Sequence, residues 1–204
     1  MRHTTTILLI GLMLSAAATP ALAQRRRAPT RPARPTLTPR ARVPSAGMVG
    51  IGGSIGVTVP TSAYLDKGLE VAGSVETYLT PRLSIRGQVG TAWWDIVGLR
   101  YAGSLQPVFV LGNVVYNWEQ GKWHPYATGG GGAYRYAFDE AAVKGSATKG
   151  GIDLGGGIEY FFTRSATITG EALFHKVGNV RTPRATLGYK GSFWSITGGV
   201  KKYF

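Results

Sequence analysis

The chain contains no cysteine. That excludes disulfide scaffolds, cysteine-ligated zinc or iron–sulfur centres, cysteine nucleophiles and a lipid anchor through an N-terminal cysteine. Long apolar runs are missing too: the longest, Ile7 to Ala18, has about 12 residues against the roughly 20 that a spanning helix needs. Acid is scarce, with 10 Asp plus Glu against 23 Lys plus Arg, so the formal net charge is +13. Such a surplus invites a nucleic-acid reading, whose weight depends on where the charges lie. What is abundant is glycine, at 30 of 204 residues. It follows no collagen-like period and is interleaved with apolar residues rather than with polar low-complexity sequence, which argues against simple disorder. At this length one domain with a sizeable core is the default.

The charge is concentrated at one end. Residues 1–23 have the layout of a secretory signal: a basic start at Arg2, the apolar run, a break at Pro20, and the small-residue pattern Ala21, Leu22, Ala23 before Gln24. Export from the cytoplasm is therefore expected, and a nucleic-acid partner is not. Residues 24–46 carry Arg25, Arg26, Arg27, Arg31, Arg34, Arg40 and Arg42, five prolines and no acid. Proline blocks helix and ladder pairing while like charges repel, so an extended, disordered arm is expected. The remaining 15 Lys and Arg and all 10 acids follow residue 46, which makes that part only mildly basic.

From Gly47 onward the dominant period is two. Val49, Ile51, Gly53, Ile55, Val57 and Val59 share one side of a strand, with Gly50, Gly52, Ser54, Gly56 and Thr58 on the other. Leu69, Val71, Val75 and Leu79 oppose Glu70, Ala72, Ser74 and Glu76 in the same way, and Leu83, Ile85 and Val89 oppose Ser84, Arg86, Gln88 and Gly90. With further candidates at 105–118, 123–136, 149–161, 166–177 and 192–204, eight strands and no helix are expected. Tight turns near 80–82, 119–122 and 162–165 alternate with longer links over 60–67, 95–104, 137–148 and 178–190, the pattern of an up-and-down meander. An echo at an offset of 83 residues matches Val75–Thr80 to Ile158–Thr163 and continues through Ile85 and Ile168.

Alternation alone leaves open whether the apolar face points into a soluble barrel or out into lipid. The other face is mainly Gly, Ser, Thr and Ala, which suits the cramped inside of an eight-stranded barrel better than a solvated exterior. Aromatic residues cluster near strand ends. Tyr78, Tyr116, Trp118, Trp123, Tyr126, Tyr160, Phe161, Phe162, Tyr203 and Phe204 lie at the short-turn end, and Trp93, Trp94, Tyr134, Tyr136, Phe193 and Trp194 at the other. Two interfacial girdles account for that clustering. The expected fold is therefore all-β, an eight-stranded antiparallel up-and-down transmembrane β-barrel over residues 47–204.

The signal, the glycine-rich alternating strands, the turn from Tyr78 to Arg82 and the terminal Phe204 together resemble the small outer-membrane β-barrel proteins of Gram-negative bacteria, the OmpA-type barrel domain. The resemblance covers residues 47–204 and implies an outer-membrane location, with the arm and short turns in the periplasm and a monomeric barrel as its own anchor. It implies that the last strand carries a signal read by the barrel-assembly machinery. Thr197, Gly199 and Phe204 match that signal, while Lys202 stands where an apolar residue is usual. A peptidoglycan-binding domain, found in longer relatives, is not expected.

Parity places Glu70, Glu76, Asp153, Glu159 and Glu171 on the inner wall together with Arg86, Arg135, Lys149 and His175. If the first short turn centres on Pro81, Glu76 and Arg86 face each other across neighbouring strands. An unpaired buried charge is costly, so an interior ion-pair network that closes the lumen is expected. An enzymatic alternative rests on lipid A deacylases, whose histidine, any residue, serine, asparagine run is similar to His175–Asn179 only in the histidine and a displaced asparagine; Val177 takes the serine position. Glu171 and His175 are also ~13 Å apart along one strand. His3 lies in the signal and His124 beside Trp123, so neither a metal nor a cofactor site is expected. The glycine runs at 129–132 and 155–157 lack a following helix and a Lys-Ser/Thr pair, which points to close backbone packing rather than phosphate binding. Expected partners are outer-membrane lipids and lipopolysaccharide, the latter through loop cations Arg100, Lys144, Arg181, Arg184 and Lys190, unless these are ordinary solvated charges. The arm is either a spacer or a binder of anionic headgroups or cell-wall polymers.

Overall fold

A computed structural model describes residues 44–97, 103–118, 121–140, 143–180 and 189–204. The signal, most of the arm, and the loop cations Arg100, Arg181 and Arg184 lie outside the described residues. Every regular element within them is a strand: β1 (Val49–Pro60), β2 (Gly68–Tyr78), β3 (Leu83–Ile96), β4 (Gly103–Asn117), β5 (Trp123–Glu140), β6 (Val143–Phe161), β7 (Ala166–Val177) and β8 (Phe193–Tyr203). Each strand pairs antiparallel with its sequence neighbour, and β1 closes on β8 through a register running from Gly50 opposite Tyr203 to Pro60 opposite Phe193. Closure satisfies the backbone of every strand without a free edge, which is what a lipid environment demands.

The period-two pattern maps directly onto the wall. Ile51, Ile55, Val57, Val71, Val89, Val110, Val114, Leu154, Ile168, Ile196 and Val200 all face outward and are exposed, Val110 at 60% and Leu154 at 69%. Their neighbours in sequence face a packed interior. Few residues need glycine as strictly as Gly132, where a Cβ would sit 2.0 Å from the Val110 carbonyl oxygen on the adjacent strand; at the outward-facing Gly170 the same atom would meet nothing within 4 Å.

The strands differ from expectation at the long-link end. β3 continues to Ile96, and β5 and β6 run on to Glu140 and from Val143, pairing as far as Glu140 opposite Val143. The expected link over 137–148 is therefore a projecting hairpin. Alternation persists through it, as Tyr136 and Phe138 face in while Arg135 and Ala137 face out, but polar residues such as Lys144 and Ser146 mask it in the sequence.

The 83-residue echo is structural. Thr80 N–H donates to the Leu83 carbonyl at 3.1 Å and Thr163 N–H to the Ala166 carbonyl at 3.3 Å. In both turns the threonine hydroxyl oxygen accepts from the backbone N–H two residues on, at Arg82 and at Ser165. The β2–β3 and β6–β7 hairpins thus share one turn, and inside the barrel they share one contact as well: Ser84 donates to Glu76, and Thr167 to Glu159.

The aromatic girdles need correction. Tyr116, Trp118, Trp123, Phe162 and Phe204 at the short-turn end, and Trp93 and Trp194 at the other, are exposed on the outer wall as expected. Tyr78, Tyr126, Phe161 and Tyr203, and at the far end Trp94, Tyr134, Tyr136 and Phe193, are instead buried in the lumen. An aromatic ring fills a narrow barrel end as readily as it fits an interface, so position along a strand does not decide its side; parity does.

Candidate functional site

The interior has two layers. At the short-turn end the cross-strand pairing of Glu76 with Arg86 holds as the turn at Pro81 requires. Glu76 accepts from the Ser84 hydroxyl at 2.5 Å, Arg86 Nε at 3.1 Å and Lys201 Nζ at 2.7 Å. Arg86 reaches on with Nη1 to Glu171 at 2.5 Å, and Glu171 also accepts from the Tyr126 hydroxyl at 2.8 Å. Lys201 lies 3.7 Å from Glu159, which accepts from the hydroxyls of Thr167 and Tyr203. Arg86 and Lys201 each therefore serve two carboxylates, and both sit over the Tyr126 ring, at 5.1 and 5.6 Å from its centroid. Tyr78, Phe161 and Tyr203 pack into a floor beneath the charges, with Phe161 and Tyr203 stacked at 5.6 Å.

Above the charged layer lies an aromatic plug. His175 is fully buried, stacked on Phe193 at 4.3 Å, and its Nδ1 shares a 2.9 Å hydrogen bond with the Tyr134 hydroxyl. Trp94 meets Phe193 edge-on at 5.1 Å and donates its indole N–H to Thr58 at 2.7 Å. The Tyr136 hydroxyl donates to the Gly191 carbonyl at 2.7 Å, and Leu65, from the segment following β1, packs into the same cluster. Between the layers, a void of about 20 Å³ bordered by Arg86, Gln88, Tyr126, Thr169, Glu171 and Lys201 has room for one water molecule.

The structure brings Glu76, Arg86, Glu159 and Glu171 into one network and leaves other expected members apart. Asp153 accepts from the Asn113 amide and pairs in register with His175, but forms no ion pair among the described residues. Glu70 lies near Ser195, yet neither of its buried oxygens makes a hydrogen bond among the described residues. Lys149 faces inward opposite Tyr134 and is only half-buried, with no ion pair among the described residues. Arg135 is a correction: it points outward, 3.4 Å from the Ser146 hydroxyl, because the inward positions of β5 belong to Tyr134 and Tyr136. Lys201 is the member that sequence reasoning missed. Its signal was present, since it shares parity with Thr197 and Gly199, both on the inner side. Phe204 is 71% exposed at the outer wall. No group of three or more potential metal ligands occurs among the described residues.

A closed eight-stranded antiparallel barrel, apolar outside and charged within, is the fold of the small outer-membrane β-barrels, and this chain has it. No family model matches the sequence, and no curated protein matches it either. Solved structures do. Neisserial surface protein A aligns over 78% of this chain and 98% of its own, with a TM-score of 0.58 and 14% identity. OprG from Pseudomonas aeruginosa aligns over 78% and 97%, again at 0.58 and 14%. Ail, the attachment invasion locus protein of Yersinia pestis, aligns over 78% and 99%, at 0.52 and 14%. At such identities the likeness is one of architecture.

Proposed function

We propose that the chain is an integral outer-membrane β-barrel protein with a structural or surface-interaction role, no catalytic activity and a closed lumen. One observation carries this reading: the molecule is inside-out, with aliphatic side chains exposed around the wall and the carboxylates of Glu76, Glu159 and Glu171 paired inside. A soluble ligand-carrying barrel would need the reverse. Membrane fractionation with heat-dependent gel mobility tests it; a soluble protein recovered from the periplasm overturns it. In planar bilayers the charged layer and aromatic plug should prevent large, stable openings, and such openings from purified protein would refute lumen closure.

The surface-interaction half of the proposal is supported by the β5–β6 hairpin. β5 and β6 have 18 and 19 residues against 12 in β7, so ~20 Å of extra ladder carries polar residues beyond the apolar belt. Near its tip Lys144 and Asp139 form an exposed ion pair at 2.8 Å, which raises the Lys144 pKa above its ordinary value. The deacylase reading has little support: His175 is enclosed by Phe109, Tyr134 and Phe193 inside the lumen, away from lipid, and hydrogen-bonds to no serine among the described residues.

A further inference from the structure

The short-turn rim carries one exposed cation per turn: Arg82 between β2 and β3, Lys122 between β4 and β5, and Arg164 between β6 and β7, joined by Lys202 on the outward side of β8. Among the described residues none of the four side chains takes part in an ion pair, whereas the interior cations Arg86 and Lys201 each meet two carboxylates. The one acid in these turns is Glu119, which lies outside the described residues. Immediately above the cations runs the lipid-facing aromatic set. Tyr116 and Trp118 pack at 5.1 Å, Trp123 and Tyr160 at 4.5 Å, and Lys202 lies 5.9 Å over the Phe204 ring. Outward aromatic rings of this kind settle at the headgroup boundary, so the cations just beyond them fall at the level of lipid phosphates. Beside Arg164, an open pocket of about 330 Å³ bordered by Met48, Ser165, Tyr203 and Phe204 offers an apolar wall next to a guanidinium.

We propose that this rim is a binding surface for anionic phospholipid headgroups of the leaflet that meets the short turns, with Arg82, Lys122, Arg164 and Lys202 as the phosphate-facing cations. The inference rests on the lipid-facing reading of the wall given above. A distributed ring favours lipid over a linear polyanion: four cations on separate elements around a circumference match headgroups packed around a barrel, whereas a polymer needs cations aligned in a groove. Binding is electrostatic at its outer edge and therefore weakens with salt.

The test uses the full mature chain, arm included, refolded in phosphatidylcholine vesicles that contain a minor fraction of brominated phosphatidylglycerol or, in parallel, brominated phosphatidylcholine. In a Trp93→Phe, Trp194→Phe background, which leaves Trp118 and Trp123 as the exposed tryptophans of the wall, quenching of tryptophan fluorescence gives the preference for the anionic lipid at this rim. The wild type should favour phosphatidylglycerol on the order of five-fold, the ratio that one near-surface cation supplies, and the preference should shrink in 0.5 M salt, taken as roughly a fivefold cut in screening length relative to dilute buffer. The variant with Arg82→Gln, Lys122→Gln, Arg164→Gln and Lys202→Gln should lose it. Heat-shifted gel mobility confirms that the variant is folded, and Arg164→Gln alone, expected to show a partial loss, serves if the fourfold variant does not fold. Equal quenching by both lipids in the wild type overturns the proposal. So does a preference that survives in the ring variant, or that disappears only when the seven arm arginines are replaced by glutamine. Absence of quenching by both brominated lipids refutes the lipid-facing wall itself and this proposal with it, so the two failures are told apart.

Discussion

Removing Arg86 tests the interior network most sharply. The Arg86→Met variant keeps most of the side-chain volume but deletes a guanidinium that contacts Glu76 at 3.1 Å and Glu171 at 2.5 Å, with all three side chains nearly inaccessible to solvent. The two carboxylates are not left equal. Glu76 keeps Lys201 at 2.7 Å and the Ser84 hydroxyl, whereas among the described residues Glu171 keeps the Tyr126 hydroxyl alone. Breaking a buried pair from one side costs about 3–5 kcal/mol, most of it from the charge left behind, and here that charge is Glu171. The double variant Arg86→Met, Glu171→Gln should therefore recover most of the loss, giving a coupling of about 2–3 kcal/mol where additive behaviour predicts none. Arg86→Lys should fall between, because it keeps the charge but loses the rigid planar fork that aims Nε at Glu76 and Nη1 at Glu171. Urea unfolding in lipid vesicles, followed by tryptophan fluorescence and by gel mobility without heating, measures these three and Glu171→Gln alone, which closes the cycle. A loss under about 1 kcal/mol for Arg86→Met, or a double variant as unstable as the sum of its parts, would refute the assignment of this charge to a paired interior.

Three further outcomes follow from the wall. Gly132→Ala places a methyl group 2.0 Å from the Val110 carbonyl oxygen, and Gly170→Ala meets open space; the first should lower stability by about 1–3 kcal/mol or block folding and the second should leave the unfolding midpoint unchanged. Val110 lies midway along β4 and faces outward, so Val110→Arg should cost about 2–4 kcal/mol in a bilayer; a neutral effect there would contradict a lipid-facing belt. Trp93 and Trp94 differ by one position and face opposite ways. Trp94→Ala should cost about 3–5 kcal/mol by leaving a cavity in the plug, clearly more than Trp93→Ala in the same unfolding assay.

Strand number, order and side were legible because each follows from a local rule. A period of two, punctuated by turns at Pro81, Gly121 and Thr163, is enough to draw the meander, and closure is the way such a meander avoids a free edge. The Glu76–Arg86 pair was equally legible, since a turn's centre sets the register of its hairpin. Two kinds of information were not local. The direction of an aromatic residue depends on whether the lumen has space at that height: reading Tyr134 and Tyr136 as interfacial forces Arg135 inward, whereas the plug needs both tyrosines and sends Arg135 out. The choice of ion-pair partners depends on what stands across the barrel. Arg86 and Glu171 are 85 residues apart and Lys201 and Glu76 are 125 apart, and no periodicity along one strand encodes a contact across the bore.

Lys201 has a consequence for how the barrel completes itself. It sits on β8, whose pairing with β1 is the last seam along the chain, while its carboxylate partners Glu76 and Glu159 belong to β2 and β6. The bond to Glu76 is unavailable to an open sheet in which β8 has not yet met β1, because it crosses that seam, whereas Glu159 is reached from the other side through β7. A slip of two residues at the seam would carry Glu76 ~7 Å along the strand from the Lys201 ammonium, out of its reach. The lysine thus works as a built-in check on closure, rewarding one way of joining the ends and leaving Glu76 with Arg86 alone in every other.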